Sequence, residues 1–283
     1  MSLSTLYSTY TAIPTPFTEQ NAIDWTSLEN ILKYQSNSKV SGIVVAGSTG
    51  EKMSLTDKEY HHILKFCKEN FKNKEIIAGI SDTSLTRVLA NLELANTIGY
   101  DKVLLTNPCY VKAQESGLLE YFKIINDNTK IPIMLYNVPS RTGQSMSNQL
   151  IAKLSELNMV DSIKDATGDL TRPAELISML NKPIGIFSGE DATMPAFNTQ
   201  GGNGVVSVVS NIEPDFICDI QHKKIDKAEL IKLNNLSNTM FCESNPVPVK
   251  YGLYKLKIIK SYQVRLPLSN LSENSQKLID SIF

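Results

Sequence analysis

The chain lacks any run of the ~18 apolar residues that a membrane-spanning helix requires, so no spanning segment is expected. Its first residues show no basic region followed by an apolar core, which argues against a secretory leader. Cysteine is sparse: Cys67, Cys109, Cys218 and Cys242 are scattered and form no CxxC pair, which supports neither a zinc site nor a redox dithiol. A reducing compartment fits them, and a soluble cytoplasmic protein is the expectation. An excess of charge of one sign is also missing. Lys and Arg number 28 against 29 Asp and Glu, and no basic stripe with interleaved aromatics occurs, so nucleic acid is not an expected partner. The basic step at His222, Lys223 and Lys224 reads as a solvated turn or helix end. Histidine is scarce: His61, His62 and His222 fall on helical segments away from strand ends, which leaves no His and carboxylate cluster for metal-dependent aldol chemistry. A GxSxG nucleophile turn and a Walker phosphate loop are both absent, which excludes serine-hydrolase chemistry and nucleotide binding of that type.

What remains is the composition of an ordinary globular protein, with 42% hydrophobic and 20% charged residues over 283 positions, enough to bury a large core. Short β-branched runs recur at Tyr10 to Ile13, Gly42 to Ala46, Ile76 to Ala78, Lys102 to Thr106, Ile133 to Tyr136, Asp161 to Ile163, Ile184 to Phe187 and Val205 to Val209. Between them, Leu28 to Gln35, Asp57 to Phe71, Thr86 to Ile98, Gly117 to Asn128, Ser147 to Leu157 and Ala174 to Leu180 space their apolar residues as amphipathic helices do. Alternation of short apolar strand and helix argues for a parallel sheet with helices outside. Eight repeats favour an α/β fold closed as a (β/α)8 TIM barrel, which commonly occupies about 250 residues as one domain. The expected organisation is residues 1–224 as the barrel and 225–283 as a C-terminal helical extension packed on it, together a single structural unit.

In such a barrel the chemistry sits at the C-terminal ends of the strands. Those positions here are Gly47-Ser48-Thr49-Gly50-Glu51, Asn107-Pro108-Cys109-Tyr110, Tyr136-Asn137-Val138-Pro139-Ser140-Arg141-Thr142-Gly143, Lys164-Asp165-Ala166-Thr167-Gly168 and Ser188-Gly189-Glu190-Asp191. Lys164 follows Ser162-Ile163 on a core strand, which brings its amine to the mouth of a largely apolar barrel, where desolvation favours the neutral, nucleophilic form. Position alone leaves two uses open, a Schiff-base amine or an ion pair with Asp165 or another carboxylate. The Gly47 to Gly50 turn supplies hydroxyls and amides that can hold a carboxylate, or it is simply a capped strand-to-helix turn. Tyr110 and Tyr136 stand where strands stop, and a phenol bonded to Ser48 can relay protons; a lone Tyr is otherwise a core residue with a polar tip. Arg141 follows the stiffening Pro139 and can clamp a substrate carboxylate in bidentate fashion, or it is a surface arginine.

Taken together, GSTGE, PCY, YNVPSRTG, IKDATG and GGNGVVSV, in this order and near these spacings, resemble the dihydrodipicolinate synthase and N-acetylneuraminate lyase superfamily. The resemblance covers essentially the whole chain, and Asn245-Pro246-Val247-Pro248-Val249-Lys250 with Arg265-Leu266-Pro267-Leu268 is similar to that family's C-terminal region. It implies that Lys164 forms a Schiff base with pyruvate, that Tyr136 donates and accepts the proton, and that Thr49 with neighbouring amides holds the pyruvate carboxylate. By the same resemblance Ser48 would take the place of the threonine usual in the synthases, linking Tyr136 to Tyr110. The resemblance further implies that Gly189 and Val206 line the pyruvate pocket through backbone groups and that Tyr110 serves the neighbouring subunit's site, in a homotetramer built as a dimer of dimers.

The loop after the fifth strand separates the branches of the family. YNVPSRTG with Arg141 implies condensation of pyruvate with L-aspartate 4-semialdehyde to 4-hydroxy-tetrahydrodipicolinate, in lysine and diaminopimelate biosynthesis, with no metal or organic cofactor. The alternatives are a neuraminate lyase or a 2-oxo-3-deoxy sugar acid aldolase releasing pyruvate, and a non-catalytic 2-oxo acid binding protein. Where lysine-regulated members of the family bind their inhibitor, this chain offers Lys52, Asp57, Tyr60, Thr83, Arg87 and Cys109, so that lysine's amino groups meet cations. Lysine inhibition is therefore expected to be weak or absent.

Overall fold

A computed structural model describes residues 7–283 of the chain. The first residues, where no leader is expected, lie outside the described ones. Eight strands, β1 (Ser8–Ala12), β2 (Gly42–Val45), β3 (Glu75–Ile80), β4 (Lys102–Thr106), β5 (Ile133–Asn137), β6 (Val160–Asp165), β7 (Gly185–Ser188) and β8 (Gly204–Ser207), form a closed barrel in sequence order. The helices are α1 (Trp25–Ser36), α2 (Asp57–Asn70), α3 (Leu85–Ile98), α4 (Glu115–Asp127), α5 (Pro139–Thr142), α6 (Asn148–Ser155), α7 (Arg172–Met179), α8 (Met194–Thr199), α9 (Pro214–Asp219), α10 (Lys227–Met240), α11 (Val247–Lys255) and α12 (Glu273–Asp280). The expected (β/α)8 architecture is the observed one, each strand lying within a few residues of its expected place. No helix among the described residues is long and apolar enough to cross a membrane.

The strands are buried along almost their whole length, as IMLYN in β5 and KVLLT in β4 are. A strand covered on both faces reads as a continuous apolar run instead of an alternation, which is why these segments carried a strand signal without a period of two. Several helices start on the side-chain caps that their sequences announce. Thr56 and Glu59 form a reciprocal capping box at α2, Asp226 and Glu229 another at α10, and Ser147 caps α6. Gly99 ends α3 in the left-handed conformation, φ 84°, which suits the one residue without a Cβ.

The chain divides into two compact units. One, Ile77–Val206, is a run of parallel β/α repeats in which β5 and β6 pair Met134 with Ser162, Tyr136 with Lys164 and Asn137 with Asp165. Its core is built from Val103, Leu105, Ile133, Leu135, Ile163 and Ile186. The other joins Ser8–Ile76 to Ser207–Phe283, so that β1, β2, α1 and α2 pack with the helices that follow β8. Long-range bonds knit it together: Gln221 Nε2 donates to Thr9 Oγ1, and Asn30 Nδ2 to the Ile258 carbonyl. After β8 this unit is helical, apart from an isolated bridge between Phe17 and Gln263.

Candidate active site

In the Ile77–Val206 unit, Lys164 lies within β6 and is only 6% exposed. Its ladder partner in β5 is Tyr136, also buried, and Lys164 Nζ stands 4.5 Å from the centre of the Tyr136 ring. Side chains alternate sides along a strand, so Asp165 leaves the opposite face and does not meet the amine. Its carboxylate is engaged by Arg172, Asn137 and Thr167 instead. Among the described residues no carboxylate lies within ion-pairing distance of Lys164 Nζ. Lys164 therefore makes no ion pair with Asp165, and its buried amine faces the Tyr136 ring.

Glu190, just beyond β7, is half-buried near this amine. Burial raises its carboxyl pKa, while the attraction of Lys164 pulls the other way. Gly189 donates its N–H to the Asp165 carbonyl over 2.7 Å, and a Cβ there would stand 2.6 Å from the Ala166 Cβ, so only glycine permits this approach of β6 and β7. Val206 lies fully buried in β8. Arg141 is exposed on the short helix α5, which Pro139 opens and Gly143 closes at φ 79°. Tyr110 lies four positions beyond the end of β4, a little further out than a strand terminus. Its side chain is 95% exposed, its φ is 69°, and its N–H is held by the Thr142 carbonyl at 3.2 Å.

The other unit holds the glycine- and hydroxyl-rich turn after β2. Thr49 is buried, and its Oγ1 accepts a hydrogen bond of 2.9 Å from Asn245 Nδ2; Ser48 is half-buried beside it. Gly50 packs on the strand end so closely that a Cβ would come within 2.7 Å of Ala46 Cα, and Thr15 Oγ1 donates to its carbonyl at 2.7 Å. Ala46 and Glu51 both take left-handed backbone, φ 52° and 53°. Such strain is tolerated by residues with a Cβ only where the surroundings over-determine it. Here they do. The Glu51 carboxylate is fully buried against Lys250 Nζ and also accepts the Arg265 N–H at 3.0 Å. Lys250 donates further to the Gln263 carbonyl at 2.8 Å, and burial pushes its pKa down to about 8 against the attraction of Glu51.

Residue-by-residue reading of the sequence did not find two of these features, the Asn137, Asp165 and Arg172 cluster behind Lys164 and the Glu51–Lys250 pair. A local signal existed for the first, since Asn137 and Asp165 each follow a site residue on its strand. For the second the partners are 199 positions apart, and only the noticed NPVPVK and RLPL segments, which contain Lys250 and Arg265, hinted at it.

A model of the dihydrodipicolinate synthetase family matches residues 6–283. The chain belongs to that family. It is 39% identical over 280 residues to a 4-hydroxy-tetrahydrodipicolinate synthase of Rickettsia bellii, covering 96% of this chain and 94% of that one. A synthase of the same name from Clostridium tetani is 36% identical, with 95% and 93% covered. A crystal structure of the chloride-inhibited dihydrodipicolinate synthase of Acinetobacter baumannii, complexed with pyruvate, superposes with a TM-score of 0.93 at 33% identity, covering 98% and 97% of the two chains.

Proposed function

We infer that the chain catalyses the Schiff-base condensation of pyruvate with L-aspartate 4-semialdehyde to give 4-hydroxy-tetrahydrodipicolinate, a step in lysine and diaminopimelate biosynthesis. The observation that carries this reading is the buried Lys164, not ion-paired with Asp165 and lying over the ring of Tyr136, within a chain of this family. Lys164 Nζ attacks the ketone carbon of pyruvate, and loss of water gives an imine. Protonated, that imine draws electrons from the neighbouring methyl, which loses a proton to form an enamine. The enamine carbon adds to the aldehyde carbon of the second substrate, whose oxygen takes up a proton and becomes the ring hydroxyl. The amine of the semialdehyde then attacks the imine carbon, closing the ring and releasing Lys164 as a free amine.

The roles of the surrounding residues follow the chemistry. Tyr136, beside the amine, moves the protons of imine formation. Thr49 donates to the pyruvate carboxylate. Its oxygen already accepts from Asn245, which leaves the hydroxyl proton free to point at an anion. Ser48 links Tyr136 to the Tyr110 that a neighbouring subunit supplies in a proton relay, and Gly189 and Val206 contribute backbone groups to the pyruvate pocket. Arg141 takes the semialdehyde carboxylate; its exposure suits a group that meets the substrate arriving second. The near-complete exposure of Tyr110, in a strained backbone held by Thr142, suits a residue that serves a neighbouring subunit's site, and the active assembly is a homotetramer, a dimer of dimers. The reaction calls for no metal or organic cofactor, and the protein works in the cytoplasm.

Turnover measured side by side with aspartate semialdehyde, N-acetylneuraminate and 2-oxo-3-deoxy sugar acids tests the reading. Condensation of the semialdehyde with pyruvate, with no release of pyruvate from the sugar acids, is the expected result. Cleavage of a sugar acid without reaction of the semialdehyde would overturn it.

A further inference from the structure

Tyr136 and Lys164 each have a neighbour one residue later in the chain that leaves the opposite face of the barrel wall. Those neighbours build one buried polar cluster. Asn137 and Asp165 pair across the β5–β6 ladder one rung beyond Tyr136 and Lys164, and Asn137 Nδ2 donates to Asp165 Oδ2 over 3.0 Å. Arg172 Nε, at the start of α7, stands 3.0 Å from the same oxygen. The other oxygen, Oδ1, accepts from the Thr167 N–H at 3.1 Å and from its hydroxyl at 2.5 Å. The cluster also grips both backbone polar groups of Met146: the N–H donates to Asn137 Oδ1 at 3.0 Å, and the carbonyl accepts from Arg172 Nη2 at 2.9 Å. Met146 closes the segment that leaves β5 and carries Arg141.

The Asp165 side chain is 1% exposed and that of Arg172 11%. A buried carboxylate and guanidinium add little to net stability that a well-packed apolar pair would not supply. What they add is direction: the Asn137–Asp165 bond fixes the spacing of β5 and β6 where their ladder stops, and Arg172, in ionic contact with Asp165 while its Nη2 donates to Met146, ties the Arg141 segment to the same point. We propose that the Asn137, Asp165 and Arg172 cluster is the positioning device of this active site, holding Lys164 against Tyr136 from behind and anchoring the Arg141 segment. Capture of the first substrate and seating of the second then depend on one buried carboxylate. The proposal rests on the roles given above to Lys164 and Arg141.

Its two arms separate in experiment. Asp165→Asn keeps the size of the side chain but turns one acceptor into a donor that meets other donors, which disturbs the rung behind Lys164. The rate at which borohydride traps the pyruvate imine falls by about 10–100-fold, and kcat falls with it. Arg172→Gln leaves Asp165 joined to Asn137 and Thr167 and weakens the hold on Met146. Trapping stays near the wild-type rate while KM for the semialdehyde rises by about 10-fold or more, and Arg172→Lys recovers part of that rise. Each variant is assayed where circular dichroism and urea titration show it fully folded.

A folded Asp165→Asn enzyme that traps pyruvate at the wild-type rate overturns the proposal. So does an Arg172→Gln enzyme with wild-type KM for the semialdehyde, or losses in both variants that merely track unfolding. If Asp165→Asn does not fold, the Arg172→Gln and Arg172→Lys pair decides alone. Failure of the wild-type enzyme itself to trap pyruvate would instead refute the Schiff-base reading on which this rests, and the same experiment shows which of the two has failed.

Discussion

Replacing Lys250 by methionine removes the cation paired with the buried Glu51 carboxylate. The two side chains are 0% and 1% exposed, so water cannot take over the lost partner. Breaking a buried ion pair from one side costs about 3–5 kcal/mol, because the remaining charge stays desolvated, whereas replacing both members by neutral groups of similar size is often close to neutral. The Arg265 N–H still reaches Glu51 and its guanidinium acts on that charge from further off, but the guanidinium is committed to Glu59 and does not take the place of a paired cation. The bond from Lys250 to the Gln263 carbonyl is lost as well. A destabilisation in the upper half of that range is therefore expected for Lys250→Met. Adding Glu51→Gln removes the stranded charge and keeps an acceptor for Arg265, so the double variant is more stable than Lys250→Met alone. Urea unfolding with a common m-value reads both effects as midpoint shifts. A Lys250→Met midpoint corresponding to less than about 1 kcal/mol, or a double variant less stable than the single one, would refute the reasoning.

Three further outcomes are expected. Arg141→Ala lowers kcat/KM for the semialdehyde by about 30-fold or more, since a charge-assisted clamp is worth about 2–5 kcal/mol, while borohydride trapping of pyruvate persists; steady-state kinetics beside the trapping assay checks both halves. Glu59 is held at a pKa of about 2 by the Arg265 guanidinium, below an ordinary value of 4.5, so the unfolded chain binds the extra proton between those values. Its stabilisation is complete above the ordinary value and lost as pH falls through about 2, and Arg265→Gln should flatten this acid limb of the stability profile. Lysine should inhibit weakly or not at all, as the residues at the positions implied by the family resemblance, Lys52 and Arg87 among them, lead one to expect; strong inhibition at micromolar lysine would contradict this.

Much of the fold was legible in the sequence because a parallel barrel repeats one local pattern, a short apolar strand, a polar turn and an amphipathic helix. The strand limits shifted where packing, and not propensity, ends a strand. β6 runs on through Lys164 to Asp165, since Asn137 and Asp165 complete a further rung, and β8 stops at Ser207 where Val209–Asn211 turn into a 3-10 helix. The four-residue helix α5 was read as loop, being too short for a helical period to show. At the site, Lys164 and Tyr136 could be found from their strand positions. Which group Asp165 pairs with could not, because Asn137 and Arg172 come together only when β5, β6 and α7 pack. The Glu51–Lys250 pair was hidden for a similar reason: a charge bound for the interior looks in sequence like any surface charge.

The identity of the reacting amine is the centre of the account, and it is tested most directly by treating the enzyme with pyruvate and borohydride and mapping the modified peptide by mass spectrometry. One reduced pyruvate adduct, located on Lys164 and absent from Lys164→Ala, is the expected result. An adduct on any other lysine, or none at all, would contradict it.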